Sequence, residues 1–129
     1  MPQRDGETGD VLVIDDDPGI VDLLISLLRD EEGYTVRAAH SVSQALACPA
    51  PAPALILLDL SLPGENAGDS VRALRALPGW DASSLVLCSG RDDLDTARRE
   101  LGAAEYLRKP FDLDTVAEVA WRFVGRRKE

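Results

Sequence analysis

The sequence of 129 residues has no long hydrophobic run, only two cysteines and only 5% aromatic residues. No apolar segment approaches the roughly 20 residues that a membrane-spanning helix needs, so we expect no membrane association. The first ten residues, MPQRDGETGD, contain no apolar stretch typical of a secretory signal. Cys48 and Cys88 form neither a CxxC pair nor a disulfide-dense pattern. We therefore expect a reduced, cytoplasmic protein.

Basic residues are also in the minority. The 14 Lys and Arg residues stand against 23 Asp and Glu residues, which gives a formal net charge of -9. Nucleic-acid binding depends largely on Lys and Arg meeting phosphates, so we expect no direct DNA binding. The length fits one domain. We expect a flexible tail at residues 1–9, a single domain at 10–126 and a charged end at 127–129.

Five short apolar runs rich in Val, Ile and Leu recur along the chain. Most are continuous, which is typical of strands buried on both faces of a parallel sheet. The predicted strands are residues 11–14, 34–38, 54–58, 85–88 and 106–107. Five helical segments alternate with them, and this alternation predicts an α/β fold with an open, doubly wound, five-stranded parallel sheet and helices on both faces.

Three of these helices have a clear apolar face at helical spacing. The faces consist of Ile20, Leu23, Leu24, Leu27 and Leu28 in helix 1, of Val71, Leu74 and Leu77 in helix 3, and of Val116, Val119, Ala120 and Phe123 in helix 5. Helix 2, at residues 43–48, and helix 4, at residues 92–101, have weaker patterns. The five helices complete the doubly wound pattern.

Polar side chains follow four of the five predicted strands. Strand 1 is followed by Asp15, Asp16 and Asp17, strand 3 by Asp59, strand 4 by Ser89 and strand 5 by Lys109. Asp17 precedes a proline and is better explained as a helix cap. Ligands of an open parallel sheet bind outside the carboxyl ends of the strands, where the strand order reverses. If strands 1 and 3 are neighbours, the other five side chains share one crevice.

Three carboxylates in one crevice point to a specific chemistry. Like charges raise one another's pKa, and a hard divalent cation such as Mg²⁺ removes that conflict. One carboxylate can then attack phosphorus and form an aspartyl phosphate. Lys109 would offset charge on the transferring group, and Ser89 could donate a hydrogen bond to a phosphoryl oxygen.

At these residues the sequence resembles the receiver domain of two-component response regulators, with the chemotaxis-type receiver fold. The matching segments are VLVIDDDP at 11–18, LILLDLSLPG at 55–64, LVLCSG at 85–90 and GAAEYLRKPF at 102–111. The resemblance implies a flavodoxin-like sheet with strand order 2-1-3-4-5. The separation of Ser89 and Lys109 is shorter than usual by roughly half a helical turn, which predicts a trimmed helix 4 or flanking loop.

The resemblance also implies a role for each matching residue. Asp59 would be the phosphoacceptor, and Lys109 would contact the phosphoryl group. Mg²⁺, with Mn²⁺ as a substitute, would be held by Asp15, Asp16, Asp59 and the backbone carbonyl of Ser61. Ser89 and Tyr106 would be the switch hydroxyl and the switch aromatic. The side chains of Ser61 and Arg91 would border the approach of water and set the lifetime of the phosphate.

The function implied is a phosphorylation-dependent signalling switch and not an ordinary enzyme, although Mg²⁺-dependent self-phosphorylation and autodephosphorylation are expected. The phosphoryl donor would be a sensor histidine kinase or a histidine phosphotransfer protein. A downstream protein would bind through helix 4, strand 5 and helix 5, and the domain would be a monomer or a phosphorylation-dependent dimer. Two alternatives stay open: a receiver fragment of a longer regulator, and a phosphorylation-insensitive interaction scaffold.

Overall fold

The computed structural model describes residues 10–49 and 51–127, and they form a five-stranded parallel sheet of order β2-β1-β3-β4-β5. The strands are β1 (Val11–Ile14), β2 (Val36–Ala39), β3 (Leu55–Asp59), β4 (Ser84–Ser89) and β5 (Glu105–Arg108). The doubly wound fold and its strand order are therefore confirmed, with strand bounds that differ from the predicted ones by up to two residues. The predicted tail at residues 1–9 lies outside the described residues, as do 128 and 129 of the predicted charged end.

In the described part of the chain, five α-helices cover the sheet. They are α1 (Pro18–Ile25), α2 (Val42–Leu46), α3 (Ala67–Arg75), α4 (Leu94–Leu101) and α5 (Leu113–Val124), with a π-helical segment, Ser26–Glu31, extending α1 and a 3₁₀ turn at Trp80–Ala82. The buried residues of α1 and α5 pack on one face of the sheet, and those of α2, α3 and α4 pack on the other. Among the described residues no helix combines the length and the apolar character needed to cross a bilayer.

The central strands explain the continuous apolar runs. All five residues of β3 are buried, and their side chains alternate between the two faces of the sheet. Leu55 and Leu57 join the cluster under α1 and α5, whereas Ile56 and Leu58 join the cluster under α2, α3 and α4. Because both faces are covered by helices, neither face of the strand tolerates a polar side chain until the strand ends at Asp59.

The turn after β1 places the first acidic residues. Asp17 caps α1, as predicted, since its Oδ1 accepts a hydrogen bond from the Gly19 amide at 2.9 Å. The Asp15 Oδ1 atom in turn accepts a hydrogen bond from the Asp17 amide at 2.9 Å. This local network fixes the path of the chain between the last residue of β1 and the helix, and it keeps Asp15 at the carboxyl edge of the sheet.

One prediction for helix 1 is wrong. Leu23 is 43% exposed, whereas Val21 is 4% exposed and takes its place in the buried face together with Leu24. The helix is apolar on most of its surface, so the spacing alone was consistent with more than one buried face. The contacts with the sheet decide the rotation of the helix, and they select the face that contains Val21 and Leu24.

Neighbouring leucines test this rotation. Leu24→Ala removes a side chain that is 2% exposed, and we expect it to lower the free energy of unfolding by about 2–5 kcal/mol. Leu23→Ala makes the same chemical change on the exposed side, and we expect a change within about 0.5 kcal/mol. Urea unfolding of both variants is the measurement, and equal losses would contradict the observed helix rotation.

Candidate functional site

The fold brings the predicted polar residues together at the carboxyl edge of the sheet. Asp15 and Asp16 follow β1, Asp59 ends the central strand β3, Ser89 ends β4 and Lys109 follows β5. The carboxylates of Asp15, Asp16 and Asp59 each offer an oxygen within 4.8 Å of the others. Asp15 and Asp59 are 3% and 5% exposed, whereas Asp16 is exposed. The crevice therefore contains two buried carboxylates and a third, that of Asp16, on its solvent-exposed side.

Lys109 faces these carboxylates from the other side. Its Nζ atom donates a hydrogen bond to Asp15 Oδ2 at 2.8 Å and lies 3.7 Å from Asp59 Oδ1. Burial by itself would lower the pKa of Lys109, but the hydrogen bond to Asp15 and the charge of Asp59 outweigh it and raise the pKa above its ordinary value. Lys109 is therefore an ammonium ion at neutral pH. The peptide bond that it forms with Pro110 is cis.

The surroundings of Asp59 disfavour its charged form. Burial, together with the charges of Asp15 and Asp16, raises the pKa of Asp59 above the ordinary value of a carboxyl group. The Ser61 amide, which donates to Asp59 Oδ1 at 3.0 Å, and the ammonium of Lys109 oppose this shift without cancelling it. The ionised carboxylate at the end of β3 is thus incompletely compensated by the protein.

The donor set fits a hard divalent cation. Three carboxylates face one ammonium ion, which leaves an excess of negative charge, and carboxylate oxygens are the ligands that Mg²⁺ prefers. A cation there would lower the pKa of Asp59, because it favours the charged form. Asp16 is exposed and Ser61 is exposed, so the site opens to solvent on that side. An open side is what a cation that retains several waters requires.

Comparison with known proteins assigns the family. A model of the response regulator receiver domain matches residues 11–120. The chain belongs to this family. The resemblance of the four sequence motifs is thereby confirmed. Receiver domains are phosphotransfer switches and not classical enzymes, and they bind Mg²⁺ at the acidic pocket that the three carboxylates form here.

Individual relatives agree with this assignment. The DNA-binding response regulator MtrA of Mycolicibacterium smegmatis is 40% identical over 122 residues, which are 92% of this chain and 51% of MtrA. The chain spans about half the length of the curated relatives it matches. A similar solved structure is the crystal structure of the receiver domain of NtrX from Brucella abortus, whose sequence is 30% identical. The TM-score is 0.76, and the match covers 89% of this chain and 98% of that one.

A second similar structure is the receiver domain of the sensor histidine kinase PA1611 from Pseudomonas aeruginosa PAO1, which has a magnesium ion coordinated in its active site cleft. Its sequence is 23% identical, the TM-score is 0.77, and the match covers 92% of this chain and 98% of that one. At this identity the likeness concerns the fold.

Of the two predicted switch residues, Ser89 ends β4 at the carboxyl edge of the sheet, whereas Tyr106 lies earlier along β5, opposite Leu87. Ser89 is 1% exposed, and its Oγ atom accepts a hydrogen bond from the Arg91 amide at 3.1 Å. Tyr106 on β5 is half-buried and packs against the core cluster under α2, α3 and α4. The Arg91 guanidinium makes two hydrogen bonds to Asp93, at 2.9 and 2.6 Å. The side chain of Arg91 therefore binds Asp93 in its own loop rather than the carboxylates of the crevice.

The loop after β4, helix α4 and strand β5 lie between Ser89 and Lys109. Helix α4 begins at Leu94, two residues later than the sequence predicts, and has eight residues. The Lys109 amide donates to the Ser89 carbonyl at 2.8 Å, so β4 and β5 remain in register at the site. The trimming of helix 4 or its flanking loop relative to other receiver domains stays a prediction.

Two residues near the site were not among the predicted site residues. The His40 Nδ1 atom lies 3.3 Å from the backbone oxygen of Asp15, and Glu65 shares the wall of a small cavity with Asp59. A single histidine after β2 and a glutamate inside a loop belong to no periodic pattern and follow no predicted motif. Only their position in the folded chain relates them to the carboxylates.

The raised pKa of Asp59 predicts the stability of an isosteric variant. Asp59→Asn resembles the protonated acid, so in EDTA at pH 7 we expect it to unfold at a higher urea concentration than the wild type. A carboxyl group whose pKa is raised by folding destabilises the fold progressively as the pH rises from its ordinary pKa to the raised one, and in full above the raised pKa. The difference should therefore disappear as the pH falls below the ordinary carboxyl range, where Asp59 is protonated in both the folded and the unfolded states.

The matched control is Asp22→Asn, which removes one charge from an exposed position on α1. We expect little change in its unfolding midpoint. A destabilised Asp59→Asn variant at pH 7 would contradict the electrostatic description of the site.

Proposed function

We propose that this receiver domain is a phosphorylation-dependent signalling switch of a two-component system, with Asp59 as the phosphoacceptor. The observation that supports it best is the position of Asp59: a shielded carboxylate at the end of the central strand, facing Asp15, Asp16 and Lys109. In the reaction, an Asp59 oxygen forms a bond to phosphorus while the bond from phosphorus to the donor histidine nitrogen breaks.

The remaining groups of the crevice have complementary roles in this proposal. Asp15, Asp16, Asp59 and the carbonyl of Ser61 hold Mg²⁺, or Mn²⁺ as a substitute, which supplies positive charge for the phosphoryl oxygens. Lys109 contacts the phosphoryl group, because its ammonium already lies within 3.7 Å of Asp59. The same groups support Mg²⁺-dependent self-phosphorylation from a small phosphodonor and autodephosphorylation.

The proposed donor is a sensor histidine kinase or a histidine phosphotransfer protein. The receiver domain is proposed to span residues 10–126 and to act in the cytoplasm as a monomer or as a phosphorylation-dependent dimer. We do not expect these residues to bind DNA directly, because the chain has a net charge of -9. The DNA-binding relative MtrA is about twice as long, so its name does not assign that activity to this domain.

The signal would pass through Ser89 and Tyr106. A phosphoryl group on Asp59 offers the Ser89 hydroxyl a new acceptor, and its inward movement vacates space for the Tyr106 ring. This is a two-state equilibrium in which the phosphoryl group favours one state. The output surface is α4, β5 and α5, where Arg98, Arg108 and Arg122 form partly exposed ion pairs that a downstream protein can exchange for its own.

The function is tested by mass spectrometry of the intact protein after incubation with acetyl phosphate and Mg²⁺. We expect the wild type to gain one phosphoryl group, and we expect Asp59→Asn to gain none. EDTA should prevent the gain in the wild type. A wild-type protein that gains no phosphoryl group from acetyl phosphate or from any histidine kinase would favour the interaction scaffold.

Two neighbouring aspartates provide a matched control for the metal. Asp16→Asn should weaken Mg²⁺ binding by at least about tenfold, the loss typical even of outer-shell partners. Asp17→Asn removes the same charge one residue away, but asparagine retains the oxygen that caps α1. We expect Asp17→Asn to bind Mg²⁺ nearly as the wild type does. Equal losses in the two variants would indicate a general charge effect and not ligation by Asp16.

Arg91 is proposed to lengthen the life of the phosphorylated state. Its guanidinium can give up Asp93 for a phosphoryl oxygen, since both contacts are charge-assisted hydrogen bonds. In that position it would obstruct the in-line approach of water, whereas the small Ser61 side chain leaves the approach open. Neither the obstruction of water nor the hydrogen bond from Arg91 to the phosphoryl group favours the hydrolytic transition state.

Two variants test this role, because they should change the rate of phosphoryl loss in opposite directions. Arg91→Ala should lose the phosphoryl group faster than the wild type, because the obstructing side chain is gone. Asp93→Ala should lose it more slowly, because Arg91 is released from its intraloop partner. The decay of the phosphorylated mass after removal of the phosphodonor, with Mg²⁺ kept in the buffer, gives both rates, and an unchanged or slower rate in Arg91→Ala would refute the assignment.

A further inference from the structure

The loop of residues 60–66 connects Asp59 to α3 and contains Ser61. It is fixed at its beginning by the backbone of β4, since the Leu60 amide donates to the Cys88 carbonyl at 3.1 Å. The Ser61 amide donates to Asp59 Oδ1 at 3.0 Å. The geometry of the rest of the loop depends on what holds its far end.

Glu65 provides that attachment. Its Oε2 atom accepts a hydrogen bond from the Val42 amide at 3.2 Å, and its Oε1 atom accepts one from the Ser70 hydroxyl at 3.5 Å. Val42 is the first residue of α2, so its amide is one of the groups that a helix start leaves without an intrahelical partner. Ser41, the residue that caps α2, binds the amide of Gln44 instead. The carboxylate of Glu65 therefore completes the cap of α2 from another part of the chain.

Both donors are shielded from water. Val42 is 6% exposed and Ser70 is 8% exposed, so the loss of Glu65 would leave two largely buried groups without this acceptor. Glu65 also lines, with Asp59 and Ser70, a cavity between the end of β3 and α3. The attachment of the loop and the phosphoacceptor thus lie on the same cavity, and a displacement of one changes the packing around the other.

Glu65 is placed as a support and not as a ligand. Within residues 10–49 and 51–127, the group of three carboxylates that approach one another closely enough to hold a cation is Asp15, Asp16 and Asp59. The two oxygens of Glu65 are directed to α2 and α3. Its contribution to the site must therefore pass through the loop backbone.

We propose that Glu65 is a positioning residue that fastens the loop 60–66 to α2 and α3 and so holds the Ser61 carbonyl where it can join Asp59 in binding a divalent cation. The proposal rests on the function proposed above, because the cation belongs to that site. A loop ordered in advance loses less conformational freedom when the cation binds. Without Glu65 the loop must be ordered by the cation itself, which lowers the affinity.

The test compares three variants of the full chain with the wild type. Glu65→Ala removes the attachment, and Glu65→Gln keeps an acceptor for the Val42 amide without the charge. Asp69→Ala removes a charge from a second, open cleft that Glu65 lines together with Val42 and Asp69. Calorimetric titration with Mg²⁺ measures the affinity. Amide hydrogen exchange at Val42 in the metal-free protein measures the attachment directly, and circular dichroism checks the fold.

We expect Glu65→Ala to weaken Mg²⁺ binding by about tenfold and to speed exchange at Val42. Glu65→Gln and Asp69→Ala should bind Mg²⁺ within about twofold of the wild type, a difference well below the 1.4 kcal/mol of a tenfold change. Faster exchange at Val42 in Glu65→Ala with wild-type Mg²⁺ affinity would overturn the proposal. It would also be overturned by Glu65→Gln and Asp69→Ala binding as weakly as Glu65→Ala, since charge would then explain the loss. A wild type that neither binds Mg²⁺ nor accepts a phosphoryl group would instead refute the proposed function.

Discussion

The ion pair of Lys109 with Asp15, at 2.8 Å between Nζ and Oδ2, joins the end of β5 to the end of β1 across the acidic crevice. The other features of the site depend on this contact, because three carboxylates within 4.8 Å repel one another and Lys109 reduces that repulsion. The compensation is incomplete, which raises the pKa of Asp59. A site that is held together but still carries excess negative charge is suited to a divalent cation.

The opposite edge of the sheet shows how a buried carboxylate is accommodated when it has no such role. Asp10 is 5% exposed, and its carboxylate accepts hydrogen bonds from the Thr35 amide at 3.1 Å and from Arg127 at 2.8 Å. Its two oxygens thus have separate partners, one of them a cation. Asp59 has one amide and a lysine that is shared with Asp15. The same residue type is fully paired at the amino edge and incompletely compensated at the carboxyl edge, because the partners differ.

Much of the fold could be predicted because local patterns agree with the tertiary arrangement. Continuous apolar runs indicated strands buried on both faces, and all of β1 and β3 is buried. The rotation of α1 could not be predicted, since Leu23 and Val21 are both apolar and only contact with the sheet distinguishes them. The gathering of Asp15, Asp16, Asp59 and Lys109 was predictable from their position after strands. The pairing of Arg91 with Asp93 was not, because an exposed arginine has several partners within reach of its long side chain.

The sequence by itself determined the parallel doubly wound sheet, the strand-end acids and the family, because each leaves a local pattern of apolar runs or a motif of fixed spacing. Only the tertiary structure decided which groups compensate one another: Lys109 with Asp15, Arg91 with Asp93, and Glu65 with the start of α2. These contacts join residues by hydrogen bonds of about 3 Å. Whether two polar side chains come that close depends on the packing of the elements that hold them, and no local pattern encodes that distance.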